Sequence, residues 1–229
     1  MAVPNALLDS AADPSPSLRV KFWPESDEKL QTIKVEHLLG ARPTSAGRNY
    51  LNSLVKYSAL GELLVFYKKY NGMQFCRTFD SRYDEVRPLL ELKPAESIAS
   101  FTGRYSPGGD LAWTMDLNKS KSLYRGSARW LAFAEIDSGP ACLTIFLDGD
   151  HAGSVFFATP QPWFNILRPI AKGFNALLDR IAGDVAAFLR LVRATVTLLG
   201  ADGDNYGLVP IEYRSGGVDL TKKSGRSKR

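Results

Sequence analysis

The spacing of apolar residues predicts a β-hairpin followed by a helix at the centre of the fold. Residues 143–158 hold two apolar runs rich in β-branched and aromatic side chains, separated by turn-forming residues at 148–153. After the hairpin, apolar residues recur at the spacing of a helix with one buried face. These residues are Leu167, Ile170, Ala171, Phe174, Leu177, Leu178 and Ile181. We place Pro169 in the first helical turn and Gly183 at the end, and we expect Phe174 to be buried against the sheet.

Upstream of the hairpin, the strongest helical pattern runs from Ser58 to Tyr70. Ser58 is the expected N-cap, and Asn71-Gly72 provides a left-handed stop. Residues 26–39 show a weaker helical pattern, whereas residues 42–47 have the polar and Pro/Gly composition of a loop.

Alternating and continuous apolar runs predict a series of strands between and beyond these helices. The predicted strands are Leu18–Trp23, Met73–Phe79, Val86–Leu92, Leu111–Met115, Arg129–Ile136 and Leu208–Tyr213. Residues 96–101 are ambiguous, residues 106–110 form a turn, and Asp184 is placed to cap a further helix. This order predicts an α+β fold, with a mostly antiparallel sheet flanked by helices.

The chain divides by composition into four parts. We predict a partly loose extension over 1–57, a folded α+β domain over 58–184, and a C-terminal helix and strand of the same domain over 185–221. Residues 222–229 are predicted to be a disordered basic tail, since five of the eight are Lys or Arg. The whole chain has a net charge of +5, so the rest of it is neutral. The tail is either a solvated end or a weak contact for polyanions.

Composition and the first residues of the chain also indicate where in the cell the protein is expected to act. The chain is 45% hydrophobic, enough for a globular core, but its apolar zones are interrupted by charges, so no membrane insertion is expected. The first residues do not have the pattern of a cleaved signal peptide, which favours a cytoplasmic location. We therefore expect Cys76 and Cys142 to be reduced core residues.

Motifs that carry catalysis are absent from the sequence. It contains no nucleophile elbow, phosphate loop, dinucleotide fingerprint or zinc-protease motif. Cys142 and His151 could form a nucleophile pair, but Cys142 begins an apolar strand and is better explained as a buried thiol. Asp148 and Asp150 fit an ordinary turn better than a calcium loop. We expect no metal, no cofactor and no enzymatic activity.

Several short motifs occur in the order and spacing of a known family. Residues 66–72 resemble the "F…YNG" helix of the SUKH superfamily, which contains fungal cell-wall-assembly regulators and bacterial immunity proteins. Residues 130–136 resemble its "W…IA" strand, and residues 143–148 its strand ending in Leu-Asp. Residues 153–155 resemble its "G-x-V" strand, and residues 170–174 the "IA-x-SF" opening of its last helix.

This resemblance implies a SUKH-like fold and a protein-binding function. The first expectation is an immunity protein that neutralises a cognate toxin, often a nuclease, by stoichiometric occlusion. The alternative is a regulatory adaptor or scaffold of the cell-wall-assembly type. Acidic turns would complement a basic toxin surface, so the candidate partner-binding residues are Asp110, Asp137, Asp148 and Asp150.

Overall fold

The structure is a computed structural model, and it describes the secondary structure of most of the chain. The described residues are 17–22, 31–80, 85–103, 113–116, 127–136, 141–158, 168–188, 190–191 and 208–214. The strands are β1 Ser17–Phe22, β2 Gln31–Lys34, β3 Glu36–Leu39, β4 Met73–Asp80, β5 Glu85–Leu92, β6 Trp113–Asp116, β7 Ser127–Ile136, β8 Ala141–Phe146, β9 Val155–Ala158, β10 Pro169–Ala171 and β11 Leu208–Arg214. The helices are α1 Ser45–Leu54, α2 Gly61–Lys69, α3 Ala95–Gly103 and α4 Phe174–Gly183.

These strands form two sheets, and every pairing described is antiparallel. The larger sheet has the order β10-β9-β8-β7-β5-β4-β3, with β6 also paired to β7, and it curls into a half-barrel. The smaller sheet has the order β11-β1-β2. The predicted α+β class with an antiparallel sheet is therefore confirmed. The predicted hairpin is confirmed as well, since β8 pairs with β9.

Aromatic side chains join helices α2 and α4 to one face of the larger sheet. Phe174 of α4 is only 1% exposed, which confirms its predicted burial. Its ring lies 5.3 Å from Phe66 of α2 and 5.8 Å from Phe133 of β7, both in edge contacts. Edge contacts of this kind stabilise beyond the area that they bury.

One edge of β7 is covered by three different elements in turn. Strand β5 pairs with the end of β7 from Ala134 to Ile136, and β6 pairs with its beginning up to Trp130. Between them, the Thr102 hydroxyl of α3 donates to the Ala132 carbonyl (3.1 Å) and accepts its N–H (3.2 Å). The buried backbone of the central strand therefore stays hydrogen-bonded, as burial requires.

Helix α4 begins later than its apolar spacing predicts. Residues 169–171 form strand β10 rather than the first helical turn, and Pro169 pairs with Phe156. β10 is the edge strand of the sheet order, where a proline is tolerated. Helix α4 starts at Phe174, where the Glu62 carboxylate of α2 accepts the Asn175 N–H at 2.8 Å. The N-terminus of α4 is therefore capped by the Glu62 side chain of α2, and not by the residue that precedes α4.

Three predictions near the N-terminus are wrong. Residues 31–39 form strands β2 and β3 rather than the end of a helix, with Val35, His37 and Leu39 alternating with exposed positions. The predicted loop at 42–47 contains the start of α1, which Thr44 caps by accepting the Gly47 N–H at 3.1 Å. Ser58 caps no helix, because residues 58–60 form a 3-10 turn that leads into α2.

The predicted stop after α2 is confirmed. Gly72 has φ of +87°, and a Cβ there would lie 2.5 Å from the Leu92 carbonyl oxygen. The Asn71 side chain accepts the Ala95 N–H at 2.8 Å and donates to the Glu96 carboxylate. Asn71-Gly72 therefore joins the end of α2 to the start of α3, which resolves the ambiguous residues 96–101 as helix.

The main core reaches beyond residues 58–184. Val35, Leu51 and Leu54 belong to it, and so do Val185 and Phe188 of a helical stretch that Asp184 caps through the Ala187 N–H (2.8 Å). Cys76 and Cys142 are buried and are not joined in a disulfide, as predicted. The turn at 106–110 and the tail at 222–229 lie outside the described residues.

Candidate functional site

Three segments far apart in sequence meet at one end of the β8–β9 hairpin. They are the connection between α1 and α2, the start of β7 and the hairpin turn. We call this region the turn surface. Its side chains are Val55, Lys56, Tyr57, Arg129, Asp148 and Asp150.

The hairpin turn that carries the two aspartates is held by backbone hydrogen bonds. The Gly153 N–H donates to the Phe146 carbonyl at 2.8 Å, and the Ala152 N–H donates to the Gly149 carbonyl at 3.1 Å. Gly149 and Gly153 have φ of +76° and +84°, in the left-handed region that suits glycine. These hydrogen bonds and backbone angles therefore hold Asp148 and Asp150 in defined positions at the end of the hairpin.

Asp148 is bound to Arg129 by two hydrogen bonds. One carboxylate oxygen accepts the Arg129 backbone N–H at 2.8 Å, and the other accepts its Nε–H at 2.5 Å. Partial burial acts to raise the pKa of Asp148, but these hydrogen bonds and the guanidinium charge together hold that pKa below its ordinary value. The hydrogen bond to Asp148 likewise raises the pKa of Arg129.

Tyr57 lies beneath the charged groups of the turn surface. The Arg129 Nη1 donates to its hydroxyl at 3.4 Å, and the guanidinium carbon lies 5.2 Å from the ring centroid. The Lys56 ammonium is also 5.2 Å from that centroid, and neighbouring Val55 is 63% exposed. Tyrosine and arginine are the residue types enriched at the energetic centres of protein interfaces.

The four aspartates predicted to bind a partner have different outcomes. Asp148 and Asp150 both belong to the turn surface, but Asp148 is engaged with Arg129 whereas Asp150 is exposed. Asp110 and Asp137 lie outside the described residues. Their roles stay predictions.

Sequence reasoning did not find Tyr57 or Arg129. Tyr57 is 72 residues from Arg129 in the chain, so their contact depends on the tertiary fold. Arg129 was within reach of inference. It begins the predicted strand over residues 129–136, which pairs in the structure with the strand leading to Asp148, and the Leu147 N–H donates to the Arg129 carbonyl at 2.8 Å.

A second charged cluster lies on the sheet itself, and we call it the lysine cluster. Gln74, Glu91 and Glu135 occupy positions paired in register across β4, β5 and β7. The Lys93 ammonium contacts both carboxylates and lies 5.2 Å from the Phe101 ring centroid. Gln74 donates to Glu91 at 3.0 Å. These groups alternate with core residues, so they occupy the opposite face of the sheet.

Three observations on the described part of the chain concern metal ligands, the Cys76 thiol and membrane-spanning helices. Groups of three or more His, Cys, Asp or Glu able to hold a metal ion are absent from the described residues. Burial raises the pKa of the Cys76 thiol well above its ordinary value, which keeps it protonated. Helices long and apolar enough to cross a bilayer are also absent from the residues described.

Comparison with known proteins leaves the family undecided. No protein-family model and no curated protein sequence matches the chain. The resemblance to the SUKH superfamily therefore stays a prediction.

Proposed function

We propose that this protein is a non-enzymatic binding module that neutralises a cognate toxin by covering the toxin's active site. The motif resemblance supports this function, and so does one structural observation: Tyr57, Arg129 and Asp148 converge on an exposed surface. A protein that acts by binding needs such a surface, with roughly 800 Å² buried on each partner.

Within this surface the two aspartates have different proposed roles. Asp148 holds Arg129 over Tyr57, so these three side chains are ordered before a partner arrives. Ordered side chains lose less entropy on binding, which favours affinity. Asp150 is exposed and offers its charge to a basic partner surface, such as that of a nuclease.

The test begins with the protein domain encoded beside this chain in its native genome. Co-expression at a one-to-one ratio should protect the host from that domain if the domain is a toxin. Purified components should form a stable one-to-one complex, measured by calorimetry and size-exclusion chromatography. Toxicity in the presence of folded, soluble protein would reject neutralisation and favour the adaptor alternative.

Two substitutions separate the proposed contributions within that complex. Tyr57→Ala should raise the dissociation rate about tenfold or more, because buried tyrosines commonly contribute over 1 kcal/mol to an interface. Asp150→Lys should lower the association rate and weaken its dependence on salt, with a smaller effect on dissociation. Asp179→Lys on the exposed side of α4 is the matched control for charge. If Asp150→Lys and Asp179→Lys change the association rate equally, Asp150 does not lie in the interface.

A further inference from the structure

The pairing of β3 with β4 contains a strained one-residue bulge. The register between the two strands shifts between Glu36 and Leu38, while β4 keeps a constant register with β5. Phe75 and Cys76 of β4 therefore both lie opposite His37, and Cys76 has φ of +51°. Glycine normally occupies left-handed positions of this kind, because a Cβ makes the conformation unfavourable. The bulge therefore needs another contact to hold it.

His37 of β3 supplies that contact. Its Nδ1 accepts the Cys76 backbone N–H at 3.0 Å. Its ring stacks on Phe75, with centroids 4.1 Å apart and planes 9° from parallel. An Nδ1 that accepts a hydrogen bond carries no proton, so the imidazole is neutral with its proton on Nε2. The stacking fixes the ring in the orientation that this hydrogen bond needs.

We propose that His37 holds strand β3 at the edge of the larger sheet only while its imidazole is neutral. We call this arrangement an acid-sensitive latch. A proton on Nδ1 converts the acceptor into a donor that faces the Cys76 N–H, so the hydrogen bond is lost and the strained bulge loses its support. β3 ends the sheet order, so its loosening frees the outer edge of β4. A free strand edge offers unpaired backbone groups to another extended chain.

Cys76, Glu36 and Arg77 are other titratable or charged groups among the described residues at this joint. The Cys76 thiol stays protonated, since burial raises its pKa. Glu36 pairs with Arg77 across the two strands, with Nη1 and Oε2 3.6 Å apart. Imidazole is the side chain whose charge ordinarily changes between about pH 5 and pH 8. This inference does not depend on the proposed function.

Amide hydrogen exchange on the full chain tests the latch. Between about pH 8 and pH 5.5, protection of the Cys76 amide should fall about tenfold after correction for the intrinsic rate, as expected for one lost hydrogen bond. His37→Asn keeps an acceptor near the position of Nδ1 but does not titrate, so its protection should not vary with pH. His37→Ala should show low protection throughout.

Two further measurements keep the result interpretable. The chain has two histidines, so His151→Asn is the matched control and should retain the pH dependence. Nitrogen chemical shifts of the wild-type rings should show His37 protonated on Nε2 at about pH 8, without any substitution. A flat wild-type profile, a proton on Nδ1 at that pH, or pH dependence that survives in His37→Asn would each overturn the proposal.

Discussion

The turn surface and the lysine cluster each contain a cation paired with at least one carboxylate, but their surroundings differ. The side chains of Lys93, Glu91 and Glu135 are 14%, 22% and 16% exposed. Those of Arg129 and Asp148 are 44% and 36% exposed. The first group is also enclosed by protein partners, since Gln74 donates to Glu91 and the Phe101 ring lies beside the ammonium.

This difference decides what each group contributes. Charges taken out of water must remain paired, because an uncompensated partner pays the full desolvation cost. Exposed pairs are screened by water and salt, and their net effect on stability is small. The lysine cluster therefore supports the sheet, whereas the turn surface can keep its charged groups available to a partner at little cost to the fold.

Removing the cation of the lysine cluster should have the largest effect. Lys93→Met leaves the Glu91 and Glu135 carboxylates facing each other, and the expected loss of unfolding free energy is about 2–3 kcal/mol, reduced from the fully buried case by residual exposure. Urea denaturation measures it. Adding Glu135→Gln to Lys93→Met should recover much of the loss. If wild type and Lys93→Met are equally stable, the lysine cluster, like the turn surface, contributes little to the stability of the fold.

Local sequence patterns predicted most of the sheet but missed elements whose signals compete with one another. The alternation of Val35, His37 and Leu39 indicates a strand, yet the charged residues before it favoured a helix. The residues 42–47 have loop composition, although Thr44 is an N-cap for α1. Residues 169–171 continue the apolar spacing of α4, and only pairing with β9 makes them a strand.

The candidate site was half accessible to sequence reasoning. Turn chemistry identified Asp148 and Asp150, because Asp and Gly pairs mark hairpin turns. It could not show that Asp148 is committed to Arg129, or that Tyr57 lies below both. Those contacts arise when the sheet brings the α1–α2 connection beside the hairpin, and no local pattern encodes that distance.

Removing the cation of the turn surface should have a much smaller effect on stability than the matched change in the lysine cluster. Arg129→Met exchanges an exposed cation for an apolar side chain of similar length, as Lys93→Met does in the partly buried case. Its urea midpoint should be close to that of wild type, because exposed ion pairs contribute little. Partner binding should weaken all the same, since Arg129 covers Tyr57. A large loss of stability would show that the turn surface is structural.

The smallest expected effect is the dependence of stability on the Asp148 charge. Its folded pKa lies below its ordinary value of 3.8, so the ionised carboxylate stabilises the fold above that pH and loses its contribution as the pH falls through the folded pKa. The pair is exposed, so water and salt screening keep the contribution small. Wild type should therefore be slightly more stable than Asp148→Asn at about pH 7, and the difference should disappear well below about pH 3.

Urea midpoints of both proteins at the two pH values measure this, with Asp150→Asn as the control for a turn carboxylate outside the Arg129 pair. If Asp148→Asn and Asp150→Asn behave alike at both pH values, the Arg129 hydrogen bonds add nothing to stability and only orient the surface.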